Sequence, residues 1–320
     1  MLPDKYKLDI TEHNKILDKI RTFLFSDKKP VQNPQIYILG GQPGAGKSVL
    51  TQRVLLSGGN DNFVSINGDE FRTLHPQAKE IFQNHDKDFA LMTDADTRLW
   101  TSEIFDEAIK NHYNIIFEGT MRTNQICNTI SRLQKESYKI NVLVMAVPEI
   151  KSRVSIYSRY QEQLEKYPIA RFTSKFSHDA AYFGMLDTLK EIEDKHLYDT
   201  ITVCNRDNQT IFQTGDKDIV KAITVEREKP LSSQDIKDLS SDIDGLLLKM
   251  TARNENLVYI EDLKSLKEQI IAQKPHNFYT AIDKMTTTVK SIKNINDTNK
   301  QVVTKSDNKF SYKNNTGKEI

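Results

Sequence analysis

The residues with the most chemical content lie in Gly41-Gln-Pro-Gly-Ala-Gly-Lys-Ser48, a glycine-rich stretch ending in a lysine and a hydroxyl. It follows the apolar run Ile36–Leu39 and precedes a helical pattern, the strand–loop–helix order of a Walker A phosphate loop. Gly41, Gly44 and Gly46, with Gln42, Pro43 and Ala45 between them, let backbone N–H groups converge on phosphate oxygens, and the helix start adds partial positive charge. Lys47 is placed to reach the β- and γ-phosphates of a nucleotide, and the Ser48 hydroxyl to ligate Mg²⁺. At an effective dielectric near 20, a lysine about 4 Å from a phosphate charge contributes roughly 4 kcal/mol. No neutral side chain supplies that.

Two acids extend the pattern. Asp69, in Ser65-Ile-Asn-Gly-Asp-Glu-Phe-Arg-Thr-Leu-His-Pro76, is the first acid past the run that ends at Ile66. A general base for an acceptor hydroxyl belongs there, and so does the N-cap of a following helix; the residues alone leave both open. Glu118 closes the run Ile115-Ile-Phe117. It could hold Mg²⁺ through water, orient an attacking water or grip a sugar hydroxyl, since a carboxylate at a strand end needs a partner. His75 precedes a proline and reads as a turn residue, while His178-Asp179 reads as a helix-positioning pair.

These positions need a frame. Ile36–Leu39, Phe63–Ile66, Ile115–Phe117 and Val142–Val147 read as buried strands, with helical patterns after Lys47, across Asp96–Ile109 and across Gln125–Leu133. The alternation predicts an α/β fold of the P-loop NTPase and kinase kind, a mostly parallel sheet flanked by helices. Its functional residues should gather beyond the carboxyl ends of the strands, which puts Gly41–Ser48, Asp69, Glu118 and Thr120 on one rim. Thr200–Cys204 and Thr210–Phe212 read as a hairpin. Past Glu226 the spacing turns helical, through Ile236, Leu239, Ile243, Leu246, Leu247 and Met250, then Leu257–Ile271 and Phe278–Ile292. The expected organisation is a kinase-like domain over 1–225, a helical extension over 226–293 and a polar, disordered tail over 294–320.

Composition narrows the class. Among 320 residues, 45 Lys and Arg balance 44 Asp and Glu, so bulk charge gives no reason to expect nucleic acid. Mean hydropathy is −0.57. No apolar run is long enough to span a bilayer, and the first residues are too polar for a signal peptide. Two cysteines, Cys127 and Cys204, make no disulfide framework or metal motif and read, like Trp100, as core. A soluble cytoplasmic protein with no membrane partner is expected.

The chain resembles the zeta toxin family, the toxins of bacterial type II toxin–antitoxin modules. The resemblance rests on Gly40–Ser48, Asp69-Glu-Phe-Arg-Thr-Leu-His-Pro76, Glu118-Gly-Thr-Met-Arg-Thr123, Met145-Ala-Val-Pro148, Ser158-Arg-Tyr160, Ala170-Arg171 and His178-Asp179, in consistent order over about half the chain. It implies a kinase that uses ATP and Mg²⁺ to phosphorylate the 3′-hydroxyl of the aminosugar in UDP-N-acetylglucosamine, starving cell-wall synthesis. It also implies a small antitoxin protein that covers the ATP site. By position, Asp69 matches the family's catalytic base, and Arg159 and Arg171 its phosphate-neutralising arginines. Glu118, Thr120, Arg122 and Thr129 match its sugar-nucleotide contacts, as does Glu103, for which Ser102 competes. Arg159 and Arg171 otherwise read as charges on helical surface, although arginine's planar fork suits a phosphoryl group in transfer.

Two other functions fit the phosphate loop. In a P-loop ATPase or GTPase switch, Glu118 would position water; the guanine motif Asn-Lys-x-Asp is missing after any strand, and Thr304-Lys-Ser-Asp307 approaches it only in the tail. A protein that holds nucleotide without chemistry and works through a partner is the other.

Overall fold

The computed structural model describes residues 5–58 and 62–273. Its sheet consists of β1 (Gln35–Gly40), β2 (Val64–Ile66), β3 (Ile115–Glu118), β4 (Lys139–Met145), β5 (Thr200–Cys204) and β6 (Thr210–Gln213), in the order β2-β3-β1-β4-β5-β6. The first five are parallel and β6 pairs antiparallel with β5, the expected hairpin. The described helices are α1 (Ile10–Phe25), α2 (Ser48–Gly58), α3 (Gly68–Phe71), α4 (Ala78–Asn84), α5 (Phe89–Met92), α6 (Asp94–Lys110), α7 (Gln125–Lys135), α8 (Glu149–Lys166), α9 (Lys175–Asp194), α10 (Ile219–Arg227), α11 (Ser233–Ala252) and α12 (Leu257–Ala272).

The central strands are apolar at nearly every position because both faces are covered. In β1, Ile36 and Ile38 face a core built with α1, α6, α7, α9 and α10, whereas Tyr37 and Leu39 face Leu50 and Val54 of α2. β4 starts three residues before the predicted Val142 and ends two before Val147. Its early polar residue Asn141 is buried but satisfied: its Nδ2 donates to Ile36 O at 3.2 Å and its Oδ1 accepts from Thr200 Oγ1 at 2.8 Å.

Helices α11 and α12 carry the apolar spacing expected of them. Leu246, Met250, Leu263 and Ile270 meet Ile150, Val154 and Tyr157 of α8 in a second core, and a Ser232–Asp235 capping box starts α11. The helical pattern expected over Phe278–Ile292 and the tail over 294–320 lie outside the described residues.

Candidate active site

Strands β1, β2 and β3 are adjacent and parallel, so the loops leaving their carboxyl ends meet on one rim. After β1 the loop turns through Gly44 and Gly46, both in the left-handed region (φ 79° and 87°). A Cβ on Gly44 would lie 2.0 Å from Ser152 O of α8, so no other residue fits there. The Gln42 side chain is fully buried and turned away from the loop's open side: its Nε2 donates to Val147 O at 2.8 Å and its Oε1 accepts from Arg227 Nη2 at 3.0 Å. Gln42 therefore anchors the loop from within the fold. Lys47 Nζ donates to Gly41 O at 2.9 Å and lies 4.0 Å from Glu118 Oε1. Burial pushes the Lys47 ammonium down, against the pull of Glu118 and Asp69. Ser48 is exposed at the start of α2, and an open cleft of about 390 Å³ begins beside it, lined by Val49, Gln52, Arg53, Leu56 and Asn208.

The rim after β2 removes the capping reading of Asp69. Asn67 is the N-cap of α3, its Oδ1 accepting from Asp69 N at 3.1 Å, which frees the Asp69 carboxylate from capping. Asp69 Oδ2 lies 2.7 Å from Arg171 Nη1, and Oδ1 accepts from Arg72 Nε at 2.9 Å. Burial would raise this carboxyl, but Arg171 and Arg72 outweigh it and hold the pKa at about 2. Arg72 is itself fixed, donating to Ala90 O at 2.6 Å and Asp94 Oδ1 at 3.1 Å. Asn67 Nδ2 also donates to Glu70 Oε1 and Glu118 Oε2, each at 3.3 Å, so an acid of α3 and one of β3 share one amide.

The arginines arrive from the far wall. Arg159 is on α8, as expected, but Arg171 lies in the irregular segment between α8 and α9, a correction to its reading as helical surface. Arg159 Nη2 donates to Thr173 Oγ1 at 3.1 Å, while its Nε is sealed from solvent without a partner. Burial, then Arg171, pushes Arg159 down to about 10.

Other predicted positions are less closely tied. Thr120 is half-buried just past β3, and Arg122 is exposed two residues on. Glu103 bonds His13 Nε2 at 2.9 Å, on the side of α6 that meets α1. The α6 residue that approaches α3 is Thr101, whose Oγ1 would lie 2.6 Å from a Cβ on Gly68. At 100° per residue Ser102 lies nearer that face than Glu103, and Ser102 is exposed. Thr129 is half-buried on α7, its Oγ1 donating to Gln125 O at 3.4 Å. Among the described residues no hydrogen bond or ion pair joins Glu103 or Thr129 to the Lys47–Asp69–Glu118 cluster.

His75 is a turn residue, its Nδ1 accepting from Gln77 N at 3.2 Å. His178 is buried between Ser152 Oγ at 2.8 Å and Asp179 Oδ1 at 2.9 Å, tying α9 to α8. Cys127, Cys204 and Trp100 are buried, as expected. Sequence reasoning missed Asn67, Arg72, Arg206 and Arg227. Arg72 lies within the Asp69–Pro76 motif, and Asn67 has the residue type of a helix cap. Arg206 Nη1 donates to Gly44 O at 2.8 Å from the β5–β6 loop, a contact no local pattern announces.

Residues 21–217 match the family model described as Zeta toxin. The chain belongs to the zeta toxin family. It is 29% identical to Toxin zeta of Enterococcus hirae over 229 residues, 70% of this chain and 79% of that protein. It is also 29% identical to Toxin PezT of Streptococcus pneumoniae, over 58% of this chain and 74% of the relative. A solved structure of the PezAT chromosomal toxin–antitoxin system of Streptococcus pneumoniae superposes with a TM-score of 0.66 at 22% identity, covering 76% of this chain and 98% of that one. The AvrRxo1-ORF1:AvrRxo1-ORF2 complex superposes at 0.50 with 12% identity, over 81% of this chain and 84% of that one. This zeta toxin family chain thus has a kinase-like P-loop fold, and no helix among its described residues is long and apolar enough to cross a membrane.

Proposed function

We propose that the chain is a cytoplasmic small-molecule kinase that transfers the terminal phosphoryl group of ATP to the 3′-hydroxyl of the aminosugar in UDP-N-acetylglucosamine, acting as a toxin on cell-wall synthesis. One observation carries the transferase reading. Lys47, Arg159 and Arg171 converge with Asp69 and Glu118 to offset them, and Arg159 has no carboxylate at ion-pair distance among the described residues. A cation desolvated without a counter-ion is costly unless an anion arrives, and a triphosphate is such an anion. The choice of acceptor rests on the family resemblance.

In this mechanism the acceptor oxygen bonds to the γ-phosphorus, the bond from that phosphorus to the β–γ bridging oxygen breaks, and the hydroxyl proton passes to Asp69. ADP and the phosphosugar leave. Asp69, with its pKa at about 2, is ionised and ready at neutral pH. Its oxygens are engaged by Arg171 and Arg72, so movement of Arg171 onto phosphate would release Oδ2 for the hydroxyl. Lys47 and Arg159 offset charge on the transferring group. Bound Mg²⁺ would neutralise the β- and γ-oxygens. Ser48 and Glu118 would hold it, with water and the substrate phosphates as further ligands.

The test is incubation with ATP, with and without UDP-N-acetylglucosamine. ADP release that requires the sugar nucleotide, with a new phosphosugar by mass spectrometry absent from Lys47→Ala, supports the kinase. Phosphate release indifferent to the acceptor points to a hydrolytic switch; neither product points to a nucleotide-binding partner protein. The proposal includes a small antitoxin over the ATP site, supported by the toxin–antitoxin membership of the pneumococcal relative. Pull-down of a short protein encoded next to this one should abolish ATP binding, and binding retained in that complex discards the cover.

A further inference from the structure

Arg171 has no helix beneath it, since residues 167–174 form an irregular segment between α8 and α9. A site residue on such a segment is accurate only if its backbone is held from behind. Here both sequence neighbours, Ala170 and Phe172, are buried. The Phe172 ring is met edge-on by Tyr157 and Tyr160 of α8, at 5.3 and 5.4 Å between centroids, and by Tyr259 of α12 at 5.2 Å. Lys87 Nζ lies 4.0, 5.0 and 5.4 Å from the ring centres of Tyr160, Tyr259 and Phe172. That lysine is bound to Glu255, just ahead of α12, at 2.8 Å, and each side chain is 9% exposed. The ring hydroxyls are fixed too: Tyr160 donates to Asp86 Oδ2 and Tyr157 to Asp262 Oδ2 of α12, both at 2.7 Å.

We propose that α12 and the turn leading into it are a positioning device for the phosphate site: Tyr259 and Glu255 hold Phe172, and through it set Arg171 at Asp69. The phosphate role of Arg171 rests on the kinase reading; the positioning does not. Padding would need only apolar volume. Edge-on rings around a buried lysine–glutamate pair are directional, and lose their geometry when one member is replaced by an aliphatic of similar size. Tyr259 is a positioning residue, since it touches neither Asp69 nor the phosphate loop.

The experiment is a cycle on the full chain: wild type, Tyr259→Leu, Tyr259→Phe, Arg171→Ala and the Tyr259→Leu/Arg171→Ala double variant. Each is measured for ATP affinity by calorimetry, for thermal unfolding and for UDP-N-acetylglucosamine-dependent turnover. Tyr259→Leu should weaken ATP about 2- to 30-fold, the range expected of a remote coupled residue. Tyr259→Phe should stay within about twofold of wild type, because its ring remains. The double variant should bind ATP no more weakly than Arg171→Ala. Additive losses, or unchanged affinity in Tyr259→Leu beside a lowered Tm, overturn the proposal and leave α12 as packing. If Tyr259→Leu does not fold, Phe172→Leu enters the same cycle under the same criteria. A wild type that shows this binding pattern yet transfers no phosphate overturns the kinase and leaves the positioning standing; one that binds no ATP overturns both.

Discussion

Arg171 Nη1 lies 2.7 Å from Asp69 Oδ2, so a candidate phosphate ligand closes on the candidate base. The pair makes each residue's second role conditional on the other. Arg171 must leave Oδ2 to meet a phosphate, and its departure exposes the oxygen that would take a proton.

The base assignment predicts a split between chemistry and binding. Asp69→Ala should lower acceptor-dependent transfer by about 10²–10⁴-fold, the usual contribution of a general base. ATP affinity should hold or tighten, because Arg171 loses its competing carboxylate. Cells expressing the variant should keep growing; arrested growth would remove Asp69 from the mechanism.

Arg171→Ala should raise the Asp69 pKa from about 2. Burial, which raises it, would then face Arg72, Arg159 and the more distant pull of Lys47. That depression fixes the sign of the linkage. A depressed carboxyl adds stability that is complete above its unfolded value, 3.8, and is lost as pH falls toward 2. The variant should lose less stability than wild type on acidification, with this group's loss ending at a higher pH, while the carboxylate stays ionised near neutrality. Carbon-detected NMR titration of Asp69 reads the shift, and an unmoved midpoint would show that Arg171 is not what holds it down.

Much of this rim is legible in the chain, for reasons that also mark the limits. Ile36–Leu39 and Ile115–Phe117 are visible because strands covered on both faces must be apolar throughout. Lys139–Asn141 was hidden because the partners of Asn141 lie on β1 and β5. Helix α8 was obscured by Arg153 and Arg159 within its stripe, and Arg153 makes sense only beside Asp262 of α12. Whether Asp69 caps a helix or faces the site depended on Asn67 taking the cap, a choice of two residues that composition does not make. Arg171 looked helical because charges surround it; Phe172, its buried neighbour, decides otherwise.

Arg159→Met should stabilise the fold while ending transfer. The sealed Nε and single bond to Thr173 return little for the desolvation of a guanidinium. Relief of about 1 kcal/mol would raise Tm by roughly 1–2 °C in a chain of this size. A lower Tm with intact transfer would mean that Arg159 serves the core.

Arg227→Met should do the reverse, although burial likewise pushes Arg227 down to about 10. Arg227 also has an unpartnered Nε, but the rest of its guanidinium is engaged. It donates to Tyr182 O at 2.6 Å and Gln42 Oε1 at 3.0 Å and lies 3.9 Å from the centre of the Tyr182 ring. A desolvated cation–π contact is worth about 2 kcal/mol, and stranding the buried Gln42 oxygen costs about 1–3 kcal/mol more. These losses exceed what removing the charge returns, so Tm should fall. Because Gln42 anchors the phosphate loop, ATP affinity should fall with it. Thermal unfolding and calorimetry on the two methionine variants side by side test the contrast, and equal signs in both would show that burial alone, not the partners of each arginine, sets their energetics.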